Sequence, residues 1–187
     1  MKSFFDAISR ISPISPSSKK AIAGILKVST LPKGHILVSP NTVCKGLYFI
    51  ERGLTRTFYI KDGKDVTDWL SPENTFATSV VSLITQKPDR RGIELLESSV
   101  IDFIPMKKWE ALCDTKHDIE RLTRRIVSEG LVQLQHKFDD VHFTPALERY
   151  RVLITTHPSL IQRVPLNMIA SYLGITQETL SRIRSQV

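Results

Sequence analysis

Apolar residues follow two different rhythms along this chain. From Leu31 to Pro105 they come in short runs rich in Ile, Val, Tyr, Phe and Thr, separated by Gly, Pro, Asn and Asp. The runs His35–Ser39, Gly46–Glu51, Leu54–Ile60, Val66–Leu70 and Ile93–Ile104 read as strands. Gly53 and the Lys61-Asp62-Gly63-Lys64 segment are turn signals, the Asp-Gly step fitting a tight hairpin. Strands this short and this closely spaced predict a small antiparallel barrel or β-roll. Ahead of them, Ser12–Lys20 reads as a loop between two short helices.

Helical character starts near Lys107 and strengthens after Asp118. Ile119, Leu122 and Ile126, then Val127, Leu131, Leu134 and Phe138, recur at steps of three and four, while Arg121, Arg124, Arg125, Glu129 and Lys137 fill the other faces. Such a stripe needs a partner surface, either the molecule's own barrel or the same helix of a second copy. Gly130 inside it costs roughly 1 kcal/mol of helix stability and leaves room for close approach. A boundary follows at His142–Pro145, then a helix from Ala146 to about Thr155, ended by His157-Pro158.

The segment from Leu166 to Arg184 meets the demands of a helix-turn-helix, in which two helices cross steeply through a short turn. Ala170 supplies the small residue where the second helix crosses the first. Gly174 supplies the positive φ of the corner. Ile169, Leu173, Ile175, Leu180 and Ile183 have the spacing of inward-facing positions, Pro165 stands near the start of the first helix, and Thr176 can cap the second. Gln177, Glu178, Ser181 and Arg182 then share one outward arc. Gln can pair with adenine, Glu can accept from cytosine N4 and Arg can grip guanine O6 and N7. Thr176, Thr179 and Arg184 are better placed for phosphates, which position the helix without specifying sequence. A double-stranded DNA partner is therefore expected.

Charge supports this and does not decide it. The net charge is +7, and beyond residue 142 the cations are all arginine: Arg149, Arg151, Arg163, Arg182 and Arg184, against Glu148 and Glu178. Other chemistries lack their residues. Cys44 and Cys113 form no Cys-x-x-Cys pair, which argues against an iron–sulfur or zinc site built from cysteine and for a reducing, cytoplasmic setting. Burial as ordinary structural thiols is the commoner fate of two such cysteines. His35, His117, His136, His142 and His157 are scattered, so no metal ligands and no catalytic residues are assigned. No Gly-rich phosphate loop or nucleophile elbow occurs, so an enzyme is not expected. No apolar run reaches a membrane-spanning length, and Met1–Arg10 lacks the layout of a secretory signal.

On these residues the chain resembles the Crp/Fnr family. The phrase Gly46-Leu47-Tyr48-Phe49-Ile50-Glu51-Arg52-Gly53-Leu54-Thr55-Arg56 is similar to that family's strand–Gly–strand hairpin. Gln162-Arg163-Val164-Pro165 and Ile169-Ala170-Ser171-Tyr172-Leu173-Gly174-Ile175-Thr176 look like its short Bacteroidetes-type members. The resemblance implies an α+β fold in three parts: a cyclic-nucleotide-binding-like antiparallel β-roll as sensor (residues 1–115), a long dimerisation helix (116–142) and a C-terminal winged helix-turn-helix (143–187). It also implies a transcription regulator that binds an inverted-repeat operator as a homodimer, with RNA polymerase and an unidentified small-molecule effector as further candidate partners. By position, the family's base-contacting residues fall on Gln177, Glu178 and Arg182.

Two departures are visible. Where cyclic-AMP binders carry a Gly-Glu pair this chain has Ala77-Thr78, and their phosphate-holding arginine falls at Asp89. A carboxylate beside a phosphodiester is repulsive, so cyclic AMP is not the expected ligand. Thr78, Ser79, Arg90 and Arg91 remain as a candidate effector pocket, and no cofactor is identified. The span between His157 and Pro165 leaves little room for a full wing hairpin. The competing reading is a ligand-binding sensor whose helix-turn-helix serves protein contacts.

Overall fold

The computed structural model describes residues 2–186. Among these residues eight strands form two antiparallel sheets of four. One has the order β1-β8-β3-β6, with β1 at Lys27–Leu31, β8 at Ser99–Pro105, β3 at Gly46–Arg52 and β6 at Phe76–Ala77. The other has the order β2-β7-β4-β5, with β2 at Ile36–Val38, β7 at Gly92–Leu95, β4 at Thr55–Lys61 and β5 at Lys64–Ser71. Val38, Cys44, Ile50, Ala77, Leu83, Ile93, Leu95 and Ile101 fill the space between them.

The two glycine signals act differently. Asp62 and Gly63 both have positive φ, 52° and 72°, and join β4 to β5 as the two-residue hairpin expected. Gly53, at φ 110°, does not close a hairpin, since β3 and β4 lie in different sheets. It turns the chain from one sheet to the other against Ser99, where a Cβ would collide. The single run expected at Ile93–Ile104 is two strands, β7 and β8, broken at residues 96–98. Several elements fall outside the expected pattern, the two-residue strand β6 among them. β1 is mostly exposed and so carries no alternation to read. Helix α3 (Val80–Thr85) interrupts the strand series. Within the expected loop Ser12–Lys20, helix α2 (Pro16–Ile25) starts early, because Ser15 accepts from the Ser18 amide and Pro16 takes the first turn.

Helix α1 (Lys2–Ile11), α2 and α4 (Met106–Cys113) close one end of the roll around Phe4, Ile8, Ile22, Phe49, Ile104 and Trp109. Helix α5 runs from His117 to Phe143 and adds Ile119 and Leu122 to that cluster. Trp109 Nε1 donates to Thr123 at 2.8 Å, and Asp118 accepts from the Ser15 amide and the Ser18 hydroxyl at 2.8 and 2.7 Å. Thus the base of α5 is tied to the roll.

Four helices follow: α6 (Ala146–Thr156), α7 (Pro158–Arg163), α8 (Leu166–Tyr172) and α9 (Gln177–Arg184). Among the described residues no strand follows β8, and the span from His157 to Pro165, read as room for a short wing, holds α7. Pro158 ends α6 as expected and opens α7, where its missing N–H costs nothing. The core of this C-terminal unit is shared with the roll. Leu54, Leu70 and Leu96 pack with Tyr150, Leu153, Leu160, Val164, Ile169 and Leu173 in one cluster.

Candidate nucleic-acid interface

The corner between α8 and α9 is closed by backbone bonds. The Gly174 amide donates to the Ser171 carbonyl and the Ile175 amide to the Ala170 carbonyl, each at 3.0 Å, with Gly174 at φ 69°. This is the Schellman ending, which satisfies the last carbonyls of α8 and needs a left-handed residue at that glycine. Ala170 is buried, and half-buried Ile175 packs against the same cluster. Thr176 then caps α9, its hydroxyl accepting from the Thr179 amide at 3.2 Å.

Leu180 and Ile183 bury the inner face of α9. Gln177, Glu178, Ser181, Arg182 and Arg184 are exposed, as is Thr176, while Thr179 is half-buried. Its own backbone amide and the Thr176 hydroxyl hold the Glu178 carboxyl below its ordinary value. Arg182 makes one long contact, 3.5 Å, to the Thr179 hydroxyl. The outward face of α9 therefore carries donors and acceptors that are little engaged within the chain.

Two arginines of this region do not face outward. Arg149 donates to the carbonyls of Leu173, Asp140 and Thr144 at 3.1, 3.2 and 2.5 Å, stapling the end of α5 to the end of α8. Arg163 reaches back to the roll, with Glu73 and Glu97 each 2.7 Å from Nη2. Lys137 of α5 donates to the Tyr172 carbonyl at 2.7 Å and lies 3.4 Å from the centre of the Tyr172 ring. Burial pushes its ammonium down to about 8. By sequence these arginines belong to a general basic character and Lys137 to a polar face of the helix. Long-range partners such as Glu73 and Tyr172 leave no local signal.

The stripe on α5 divides. Ile119 and Leu122 are buried against the chain's own roll, whereas Val127, Leu131, Leu134, Phe138 and Val141, at steps of four, three, four and three, are exposed.

In the roll, the four residues read as a pocket are engaged internally. The Thr78 hydroxyl is 3.2 Å from the Gly46 carbonyl, and the fully buried Ser79 donates to Asp89 at 2.8 Å. Arg91 pairs with Asp68 at 2.6 Å and lies 3.5 Å from Asp89, and Arg90 lies over the Tyr59 ring at 4.6 Å.

Residues 28–116 match the family model of the cyclic nucleotide-binding domain. No protein of curated function matches the sequence. Among solved structures, a Crp/Fnr-family transcriptional regulator of Eubacterium rectale is similar at 17% identity, over 92% of this chain and 83% of that one, with a TM-score of 0.71. FixK2 of Bradyrhizobium japonicum is similar at 16% identity, over 87% and 84%, with a TM-score of 0.71. The c-di-GMP-responsive regulator CLP of Xanthomonas campestris follows at 14%, over 92% and 91%, with 0.69. Residues 28–116 are thus similar to a cyclic nucleotide-binding domain, and the chain has the fold of these Crp/Fnr regulators.

Within the matched residues, the Ser79 hydroxyl and the Arg91 guanidinium both turn to the Asp89 carboxylate. Arg91 is thus spoken for by carboxylates, and Arg90 by a ring. Cys44 is buried with its Sγ 3.3 Å from the Gly46 carbonyl, and burial raises the half-buried Cys113 thiol. Among the described residues no group of three or more His, Cys, Asp or Glu side chains is placed to hold a metal. Among the described residues no helix is long and apolar enough to cross a membrane.

Proposed function

We propose that this chain is a sequence-specific transcription regulator of the Crp/Fnr type, reading an inverted-repeat operator through α9 as a homodimer. The observation that carries the reading is the division of α9: Leu180 and Ile183 are buried, while Gln177, Glu178, Ser181 and Arg182 stand exposed on the opposite arc. An idle surface helix can be polar, but a helix held by a Schellman corner that offers Gln, Glu and Arg together matches the donor and acceptor pattern of major-groove edges. Thr176, Thr179 and Arg184 take phosphate contacts in this reading.

The dimer is formed by α5. Its exposed apolar residues from Val127 to Val141 keep the heptad spacing of a two-stranded seam, and one copy leaves them uncovered. The roll is read as a sensor-type scaffold that does not answer to cyclic AMP, because Asp89 stands among the donors that an anion would need. Selection from random duplex DNA followed by gel shift tests the proposal. Enrichment of a palindrome with half-site centres about 34 Å apart is expected. Retention of all sequences alike, or of none, would overturn it and favour a helix-turn-helix used for protein contacts.

A further inference from the structure

We propose that the C-terminal unit is clamped onto the β-roll of its own chain at two points, and that this clamp sets the orientation of α9. The inference rests on the reading of α9 as the DNA-contacting helix. The first point is Arg163, at the end of α7. Its Nη1 and Nη2 reach both oxygens of Glu73 at 3.0 and 2.7 Å, and its Nε and Nη2 reach both oxygens of Glu97 at 3.2 and 2.7 Å. Glu73 lies between β5 and β6 and Glu97 between β7 and β8, so one guanidinium gathers two separate loops of the roll. Glu73 is itself fixed by the Gly53 amide at 3.0 Å. The hydrogen bonds that Arg163 donates to Glu97 and Glu73 raise its pKa. Burial alone would raise the Glu73 carboxyl, but Arg163 holds it low.

The second point lies at the other end of α8. The Thr67 amide on β5 donates to the Ser171 hydroxyl at 2.9 Å, and Lys137 holds the Tyr172 carbonyl with the Trp69 ring of β5 at 5.9 Å. The strand beneath is braced: buried Arg56 pairs with Asp65 and Glu94 at 2.6 and 2.8 Å and donates to Thr67 at 3.3 Å. Between the two points, Leu54, Leu70 and Leu96 of the roll meet Leu160, Val164 and Ile169.

A lone exposed ion pair contributes little. This one is different in kind, because forked pairing to two carboxylates fixes direction as well as contact. A single arginine at one end and a strand–helix bond at the other leave α8, and through the Schellman corner α9, no free rotation about the end of α5. The outward arc of α9 stays exposed in this docked arrangement, so the clamp presets the DNA-facing helix instead of masking it.

The test uses the full-length protein, comparing wild type with Arg163→Ala, with Glu73→Gln/Glu97→Gln, and with the charge swap Arg163→Glu/Glu73→Arg/Glu97→Arg. Hydrogen exchange of the α8 amides reports docking without any DNA, and gel shift with the selected operator reports orientation. Both weakened forms are expected to exchange faster in α8 while α1–α4 stay protected, and to bind operator about tenfold more weakly, with substantial recovery in the swap. Unchanged α8 exchange in the glutamine variant overturns the clamp. Faster exchange with unchanged operator affinity overturns its role in orienting α9. Should the wild-type chain bind no DNA at all, the proposed function fails while the exchange result still decides the clamp.

Discussion

Replacing Gly174 by alanine isolates the corner on which the α8–α9 geometry depends. Its φ of 69° lies in the left-handed region, where a residue with a Cβ costs about 1–2 kcal/mol. Nothing crowds the added methyl, for the nearest atom, Val141 Cγ1, is 3.9 Å away, so neither clash nor new burial alters the sum. Alanine also stiffens the unfolded chain, which returns about 0.4–1 kcal/mol. The net expectation is a loss of roughly 1 kcal/mol, or about 2–4 °C in Tm for a chain of this size. Asparagine, which tolerates this region, should lose less, and valine more. Urea titration followed by circular dichroism measures the midpoint, and an unchanged slope would place the effect in stability alone. Alanine at least as stable as glycine would refute the reasoning, because the corner would then not need a left-handed residue.

Further consequences are open to measurement. Leu134→Glu puts a charge in the middle of the exposed heptad face of α5, and light scattering should show the mass fall from dimer to monomer; an unchanged dimer would move the interface elsewhere. Asp118 is held at about 2, below its ordinary 3.8, chiefly by the Ser15 amide. A lowered carboxyl stabilises the fold above its unfolded value, and that contribution fades as pH falls from 3.8 toward about 2, so Asp118→Asn should flatten the acid limb of stability across that window. An unaltered acid limb would mean that the α2–α5 tie does not matter. Calorimetry with cyclic AMP should give no saturable heat, and micromolar binding would contradict the part given to Asp89.

The helix-turn-helix was the most legible part of the sequence because its constraints are local. Ala170, Gly174 and Thr176 must sit at fixed offsets, and the bonds from Gly174 and Ile175 close within six residues of chain. The strand series was legible for the same reason, through alternation and turn residues. Elements without a local pattern escaped: the exposed strand β1, the short α3, and α7, which took the place of a wing. The candidate effector residues show the other limit. Arg91 can be read as a free cation from the sequence, yet Asp68, a residue 23 positions away, takes it. Likewise Arg163 and Arg149 add positive charge to any count, but their partners come from distant loops and helix ends, so neither is available to a phosphate.

Base-by-base specificity of Arg182→Ala probes the central claim most directly. Measured against every single substitution of the selected operator, the variant should lose about 1–3 kcal/mol on the preferred sequence and become indifferent at one base pair in each half-site. An equal loss on all sequences, or none, would contradict the assignment of α9 as the element that reads base edges.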